Sequence, residues 1–181
     1  MRSRDIAVIS MYSALAVGLR LCKHMIVGSF QFINFSLAIS ALTLILGLRF
    51  RYSIAIGVLS ILLSDLVLGA GPWTISNMLS LALALTLILP IRNESNTLII
   101  GTTVFISEFL YDLISSFIGY LWFLGSNGVY EAFYLSIIGL FIPAGGGGLL
   151  LVGPTTELTT ALTVVFLLKP LNRLGVILYE R

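Results

Sequence analysis

Apolar residues fall along this chain in long unbroken runs, separated by short clusters of charge, glycine and proline. The runs cover residues 6–21, 30–48, 52–68, 73–89, 97–123 and 154–168. Arg49-Phe50-Arg51 closes the second and Gly69-Ala70-Gly71-Pro72 the third. Pro90-Ile91-Arg92-Asn93-Glu94 closes the fourth, and Lys169-Pro170 the last. A helix needs about 20 residues to cross the hydrocarbon core of a bilayer, and runs of this kind approach that length. Strands of a membrane barrel would alternate apolar with polar positions, which these runs do not. The pattern predicts one all-α membrane domain over residues 1–181, with six transmembrane helices.

Between the fifth and sixth runs lies a mixed stretch, 124–153. Residues 130–142 are apolar and aromatic, and Gly145-Gly146-Gly147-Gly148 follows. It reads as an outer lid-like segment, an interfacial or re-entrant helix hinged on glycine. The alternative is a seventh, broken span that begins at Tyr130.

Composition narrows the class. Hydrophobic residues make up 58% of the chain and charged residues 10%, against roughly 25% charged in a soluble domain. Mean hydropathy is +1.07. So few charges cannot clothe a water-soluble enzyme, and so many apolar residues exclude a disordered chain. A net charge of +2 without a basic stripe excludes a nucleic-acid partner.

The distribution of charge gives an orientation. With the N-terminus inside and alternating crossings, Arg2, Arg4, Arg49, Arg51, Arg92, Lys169, Arg173 and Arg181 fall on one side, and Arg20 and Lys23 on the other. Basic residues collect on the cytoplasmic side of membrane proteins. Both termini are therefore expected in the cytoplasm, in a multi-pass protein of the cell membrane. A signal peptide cleaved near Ala14-Leu15-Ala16 is the competing reading, and it would spoil this balance.

Several chemistries are missing. Cys22 is the single cysteine, so there is no internal disulfide and no cysteine-built metal site. A phosphate-binding loop needs Gly-Lys-Ser/Thr, but the lysines are Lys23 and Lys169 and neither follows glycine. One histidine, His24, builds no paired metal site, and no nucleophile elbow accompanies it. We expect no catalytic residues, no metal and no cofactor.

Four acids lie within or at the ends of the runs: Asp65, Glu108, Asp112 and Glu157. An ionised side chain at mid-bilayer costs about 2.5–3.5 kcal/mol on insertion scales, so such groups face an interior or a wet cavity. Polar and small residues recur at helical spacing beside them. Glu108, Asp112, Ser115 and Gly119 form one stripe; Gln31, Asn34, Ala38 and Ala41 a second; Trp73, Asn77, Ser80 and Ala84 a third; Thr156, Thr160 and Thr163 a fourth. The functional reading is a pocket toward the outer face, formed by Arg20, Gln31, Asn34, Asp65, Trp73, Asn77, Glu108, Asp112, Tyr130 and Glu157. The structural readings are an ion pair between Arg20 and an acid, stripes that join helices, and aromatics in the interface belt. Ser10, Ala14 and Gly18 give the first helix a flat face, which packs internally or docks another membrane subunit.

Two segments carry a family resemblance. Phe30-Gln31-Phe32-Ile33-Asn34-Phe35 opens the second run, and Ser64-Asp65-Leu66-Val67-Leu68-Gly69-Ala70-Gly71-Pro72-Trp73-Thr74 joins the third to the fourth. With the small-residue first helix and the six-span layout, the chain resembles the substrate-binding S components of energy-coupling factor (ECF) transporters, a branch of the ABC importers. The resemblance implies a subunit that captures a vitamin or related micronutrient near the outer face. Its implied partners are a transmembrane coupling protein and two cytoplasmic ATPases. In that family an AxxxA-type face on the first helix docks on the coupling protein. Here Ser10-Met11-Tyr12-Ser13-Ala14 stands in that place, with serine for the first alanine.

The residues leave the ligand open. The surplus of acids suits a cationic, amine-bearing or amide-rich solute, whereas Arg20 and Lys23 suit a carboxylate or phosphate. A stand-alone proton-coupled carrier using Glu108 or Asp112, an intramembrane enzyme using His24 and a purely structural subunit are the other readings. If the acids bind ligand, Asp65→Asn and Asp112→Asn each weaken binding more than about tenfold in a titration of the purified protein. Retained affinity with reduced expression would assign the residue to the fold instead.

Overall fold

Apolar stretches without interior helix breakers should fold as helices, because a bilayer supplies no partner for a free backbone N–H or C=O. In the computed structural model, which describes residues 3–27, 32–141 and 152–173, they do. The helices are α1 (Ser3–Val27), α2 (Phe35–Ile45), α3 (Phe50–Leu68), α4 (Pro72–Ile88), α5 (Thr97–Leu124), α6 (Val129–Leu140) and α7 (Val152–Arg173). There is no strand among the described residues. Gln31 and the four-glycine run at 145–148 lie outside them.

Local chemistry sets the boundaries. Pro72 sits in the first turn of α4, where its missing N–H costs nothing. Pro90 ends the same helix in a 3-10 turn, Leu89–Ile91. The Asn96 side chain accepts from the Leu98 N–H at 2.9 Å and caps α5. Gly69 ends α3 at φ +113°, a conformation open to glycine but strained for other residues.

Four helices are long and apolar enough to cross a bilayer: α1, α3, α4 with its 3-10 extension, and α5. At 22 residues α7 has the length but is less apolar, since it carries Thr155, Thr156, Glu157, Thr159 and Thr160. The second run departs from expectation. Of the described residues 32–48, Phe35–Ile45 form the helix, 11 residues or about 16 Å. That is roughly half of a 30 Å hydrocarbon core. The segment at 124–153 contains α6, 12 residues long and also too short to cross. It packs against α5, with Phe117 and Phe133 edge to face at 6.2 Å.

The short α2 is the centre of the bundle. It touches α1, α3, α4 and α7, while α5 packs against α4, α6 and α7. Residues Ser36 through Leu44 are all buried. Leu37 and Leu44 join Leu81, Leu85, Ile88, Ile100, Val104 and Val164 in the main core. A second cluster, Ile9, Ala16, Ile39, Tyr52 and Ile56, holds α1 against α2 and α3. Small residues let these backbones close up. Ser60 donates to the Ser36 hydroxyl at 2.8 Å across α2 and α3. The outward side chains are largely apolar, including Leu63, Leu66, Leu79, Leu83, Ile106, Leu162 and Phe166.

Helix directions follow from the contacts. Tyr52 donates to Asp5 at 3.1 Å, and Arg20 reaches Asp65, so α1 and α3 run parallel. Gly101 faces Val165 and Glu108 lies near Glu157, so α7 runs antiparallel to α5 and ends at the end of the bundle where α5 begins. Arg4, Arg49, Arg51, Arg92 and Lys169 thus gather at one end of the bundle, which we call the basic end.

Gly57 tests the packing of α2. A Cβ there would lie 2.5 Å from a Leu81 methyl and 2.6 Å from the Ser40 hydroxyl. Gly57→Leu is expected to destabilise the folded protein by about 1–3 kcal/mol, read as a lowered unfolding temperature in detergent. Leu63→Ala, on the exposed side of the same helix, should leave it nearly unchanged.

Candidate functional site

A helix that begins inside the bundle must have its first N–H groups satisfied there. The Asn34 side chain caps α2 by accepting from the Leu37 N–H at 3.1 Å. The Asn34 N–H donates to Thr160 on α7 at 3.0 Å. The Thr159 hydroxyl donates to the Phe32 carbonyl. The threonines of the last helix therefore hold the non-helical entry to α2. Non-helical backbone at this depth is stable only when buried in protein or lining a cavity. Here it does both: Ile33, Asn34 and Phe35, with Arg20, Lys23, Asn77 and Tyr111, line a cavity of about 30 Å³.

A larger cavity of about 330 Å³ adjoins it and shares Asn77 and Tyr111. Its walls are Trp73 and Asn77 from α4, and Tyr111, Asp112, Ser115, Ser116, Gly119, Tyr120 and Phe123 from α5. The α4 and α5 stripes thus face one space. Ser80 and Ala84, lower on the α4 stripe, are buried in the core instead, as are Ala38 and Ala41 of α2.

Acids cluster beside the cavities. Glu108 is fully buried, and neither carboxylate oxygen has a hydrogen-bond partner among the described residues. Glu157 is 2% exposed with Oε1 unpartnered. Glu108, Asp112 and Glu157 lie close enough to repel one another. The Asn34 amide lies near Glu108, yet its Nδ2 makes no hydrogen bond. Lys23 attracts Glu108 and Asp112 across the gap, but forms no ion pair within 4.0 Å among the described residues. The acids form no metal-ligating group among the described residues.

Asp65 has a different environment. Its Oδ1 pairs with Arg20 Nη2 at 2.7 Å, and its Oδ2 accepts from Thr74 Oγ1 at 2.7 Å. The other arm of Arg20 donates to Ser64 at 2.8 Å. Thr74 Oγ1 in turn accepts from the Gly71 N–H at 3.2 Å. The Ser64-Asp65…Gly71…Thr74 segment is thus one network that fixes the turn between α3 and α4 and ties α1 to it.

The sequence-nominated residues therefore divide. Arg20, Asn34, Trp73, Asn77 and Asp112 line the two cavities, and Glu108 and Glu157 lie beside them. Asp65 belongs to the turn network. Tyr130 is 88% exposed at the start of α6, and no α6 residue lines either cavity. Tyr111, Tyr120 and Phe123 are wall residues that the sequence reading passed over. Tyr111 stands three residues after Glu108 and shares its face, but an aromatic at that spacing reads as core. Ser10, Ala14 and Gly18 point out of the bundle, and a Cβ on Gly18 would meet nothing within 4 Å. The inward residues of α1 are Ile9, Ser13 and Ala16. Cys22 is exposed.

No family model matches the chain, and no curated protein or solved structure matches it.

The Asp65 network predicts a stability effect. Asp65→Asn should cost about 3 kcal/mol, seen as a lower unfolding temperature and reduced yield, because Arg20 keeps its charge without a partner. The double variant Arg20→Met/Asp65→Leu should recover much of that loss. Single and double variants with equal unfolding temperatures would show that the pair contributes nothing.

Proposed function

We propose that the protein is the substrate-capture (S) subunit of an ECF-type importer for a vitamin or related micronutrient. The observation that carries the reading is the shared cavity of about 330 Å³, where Trp73 and Asn77 face Asp112, Ser115 and Gly119. Its volume falls at the low end of small-molecule sites, and its mix of aromatic walls with a few polar groups is what such sites use. The chain itself carries no catalysis. A coupling protein and two ATPases supply the energy, and the lipid bilayer is its solvent.

In this reading the chain crosses the membrane six times, with α2 as a shortened second crossing. The basic end faces the cytoplasm and the Trp73 end faces outward. The segment 124–141, with α6, stands at the outer side. The outward Ser10-Ala14-Gly18 face supports docking, since its lack of a partner within the bundle leaves it open to a close-packing helix.

A second reading has its own support. Glu108, buried with both oxygens unpartnered, would also serve as the proton site of a stand-alone carrier. The two readings separate by energy source. Native mass spectrometry and thermal-shift screening against vitamins and their precursors should find a co-purified or strongly stabilising compound. Its uptake should require the ATPase partners and survive an uncoupler. An empty protein with no stabilising compound, and uptake collapsed by the uncoupler, would overturn the capture reading. Ala14→Leu and Gly18→Leu are expected to abolish ATP-driven uptake while leaving ligand affinity within about twofold, since both positions are exposed and away from the cavity.

A further inference from the structure

The polar groups around the cavities are unevenly matched, and the mismatch points to an occupant. Arg20 is committed to Asp65 and Ser64. Among the described residues, Lys23 is then the remaining cation beside Glu108 and Asp112. The N-terminus of α2 adds a partial positive charge near Glu108, equivalent to roughly half a unit. Acids remain in excess. The unpartnered atoms have the same character. Glu108 offers two acceptor oxygens and Glu157 one. Buried acceptors without donors are costly, so a site of this kind is completed by a guest that brings hydrogen-bond donors and positive charge.

The space beside them fits such a guest. Asp112 stands in the wall of the larger cavity, one helical turn from Glu108. Trp73, Tyr111, Tyr120 and Phe123 supply aromatic surface to the same cavity. Aromatic faces attract cations and stack on planar rings. The smaller cavity, at about 30 Å³, has room for little more than one water. The body of a ligand would therefore sit in the larger cavity, with its donor-bearing end toward Asp112 and Glu108. An anion is disfavoured, since Asp112 is in the cavity wall and Arg20 is already paired with Asp65.

We infer that the site takes an organic cation, a planar ring bearing an amine, amidine or quaternary nitrogen. Asp112, in the cavity wall, receives its charge, with Glu108 buried one turn behind it, and Trp73 and its aromatic neighbours hold its ring. This deepens the capture reading and rests on it. The Asn34 Nδ2, likewise unpartnered, lies beside Glu108.

The test uses three probes of nearly one shape: benzamidinium, benzamide and benzoate. Each is titrated into the detergent-purified full chain, with tryptophan fluorescence and calorimetry as readouts. For fragments of this size the expected Kd of benzamidinium is about 1 mM. Benzamide should bind about tenfold more weakly and benzoate more weakly still. Asp112→Asn and Glu108→Gln should each remove most of the preference for benzamidinium over benzamide, leaving benzamide affinity within about threefold. Unfolding temperature establishes that each variant is folded. The inference is overturned if benzamide or benzoate binds as tightly as benzamidinium, if none of the three binds, or if both folded variants keep the preference. Its failure is distinct from failure of the capture reading. A neutral or anionic micronutrient that co-purifies and is imported with the ATPases would leave capture standing and remove only the cation.

Discussion

A helix that starts inside an apolar bundle leaves its first N–H groups where no water can satisfy them, and this constraint organises the protein. The start of α2 is held by its own Asn34 cap and by Thr160 on α7, with Thr159 holding Phe32 just before it. Those bonds require α7 to lie against α2. Once there, α7 brings Glu157 beside Glu108 of α5. The gap at the start of α2 is lined by Arg20, Lys23, Asn77 and Tyr111. The polar interior thus follows from where α2 starts, with Asn34 at its entry.

The Arg20–Asp65 pair does a different task. It joins α1 to the turn between α3 and α4, and its hydrogen bonds use both Asp65 oxygens and both Arg20 arms. In water such a pair would contribute little. Within an apolar bundle, breaking one side strands a charge. By consuming the arginine, the pair also sets the electrostatics of the neighbouring cavities, leaving Lys23 as the cation beside Glu108 and Asp112 among the described residues. Acids that look alike in the sequence therefore have different surroundings, Asp65 in an ion pair and Asp112 in a cavity wall.

The exterior is as informative as the interior. Between helices in lipid there is little hydrophobic gain, so close packing and polar bonds hold them together. The faces of α2, α3 and α4 that meet are accordingly rich in serine and glycine, as at Ser36, Ser60 and Gly57. The same small-residue chemistry on α1 at Ser10, Ala14 and Gly18 finds no partner inside the bundle. A surface suited to helix packing but left bare is where we propose that another membrane subunit docks.

Much of this was legible in the chain alone. Run length and the absence of alternation determined an all-helical protein with helices fit to cross a bilayer, because the bilayer fixes both the length and the backbone bonding of what crosses it. The ends of α3, α4 and α5 were marked by Gly69, Pro72, Pro90 and Asn96 through their fixed backbone preferences. The stripes on α4 and α5 were visible as spacing, since residues three and four apart share a face. Tertiary structure decided the rest. Hydropathy could not tell that the described residues 32–48 hold an 11-residue helix, because an apolar segment buried in protein and one facing lipid have the same composition. Nor could spacing assign Asp65 to a turn and Asp112 to a cavity wall, or leave Tyr130 outside. Those differences depend on which helix stands opposite, and the partners of Asp65 come from α1 and α4, up to 45 residues away in the chain.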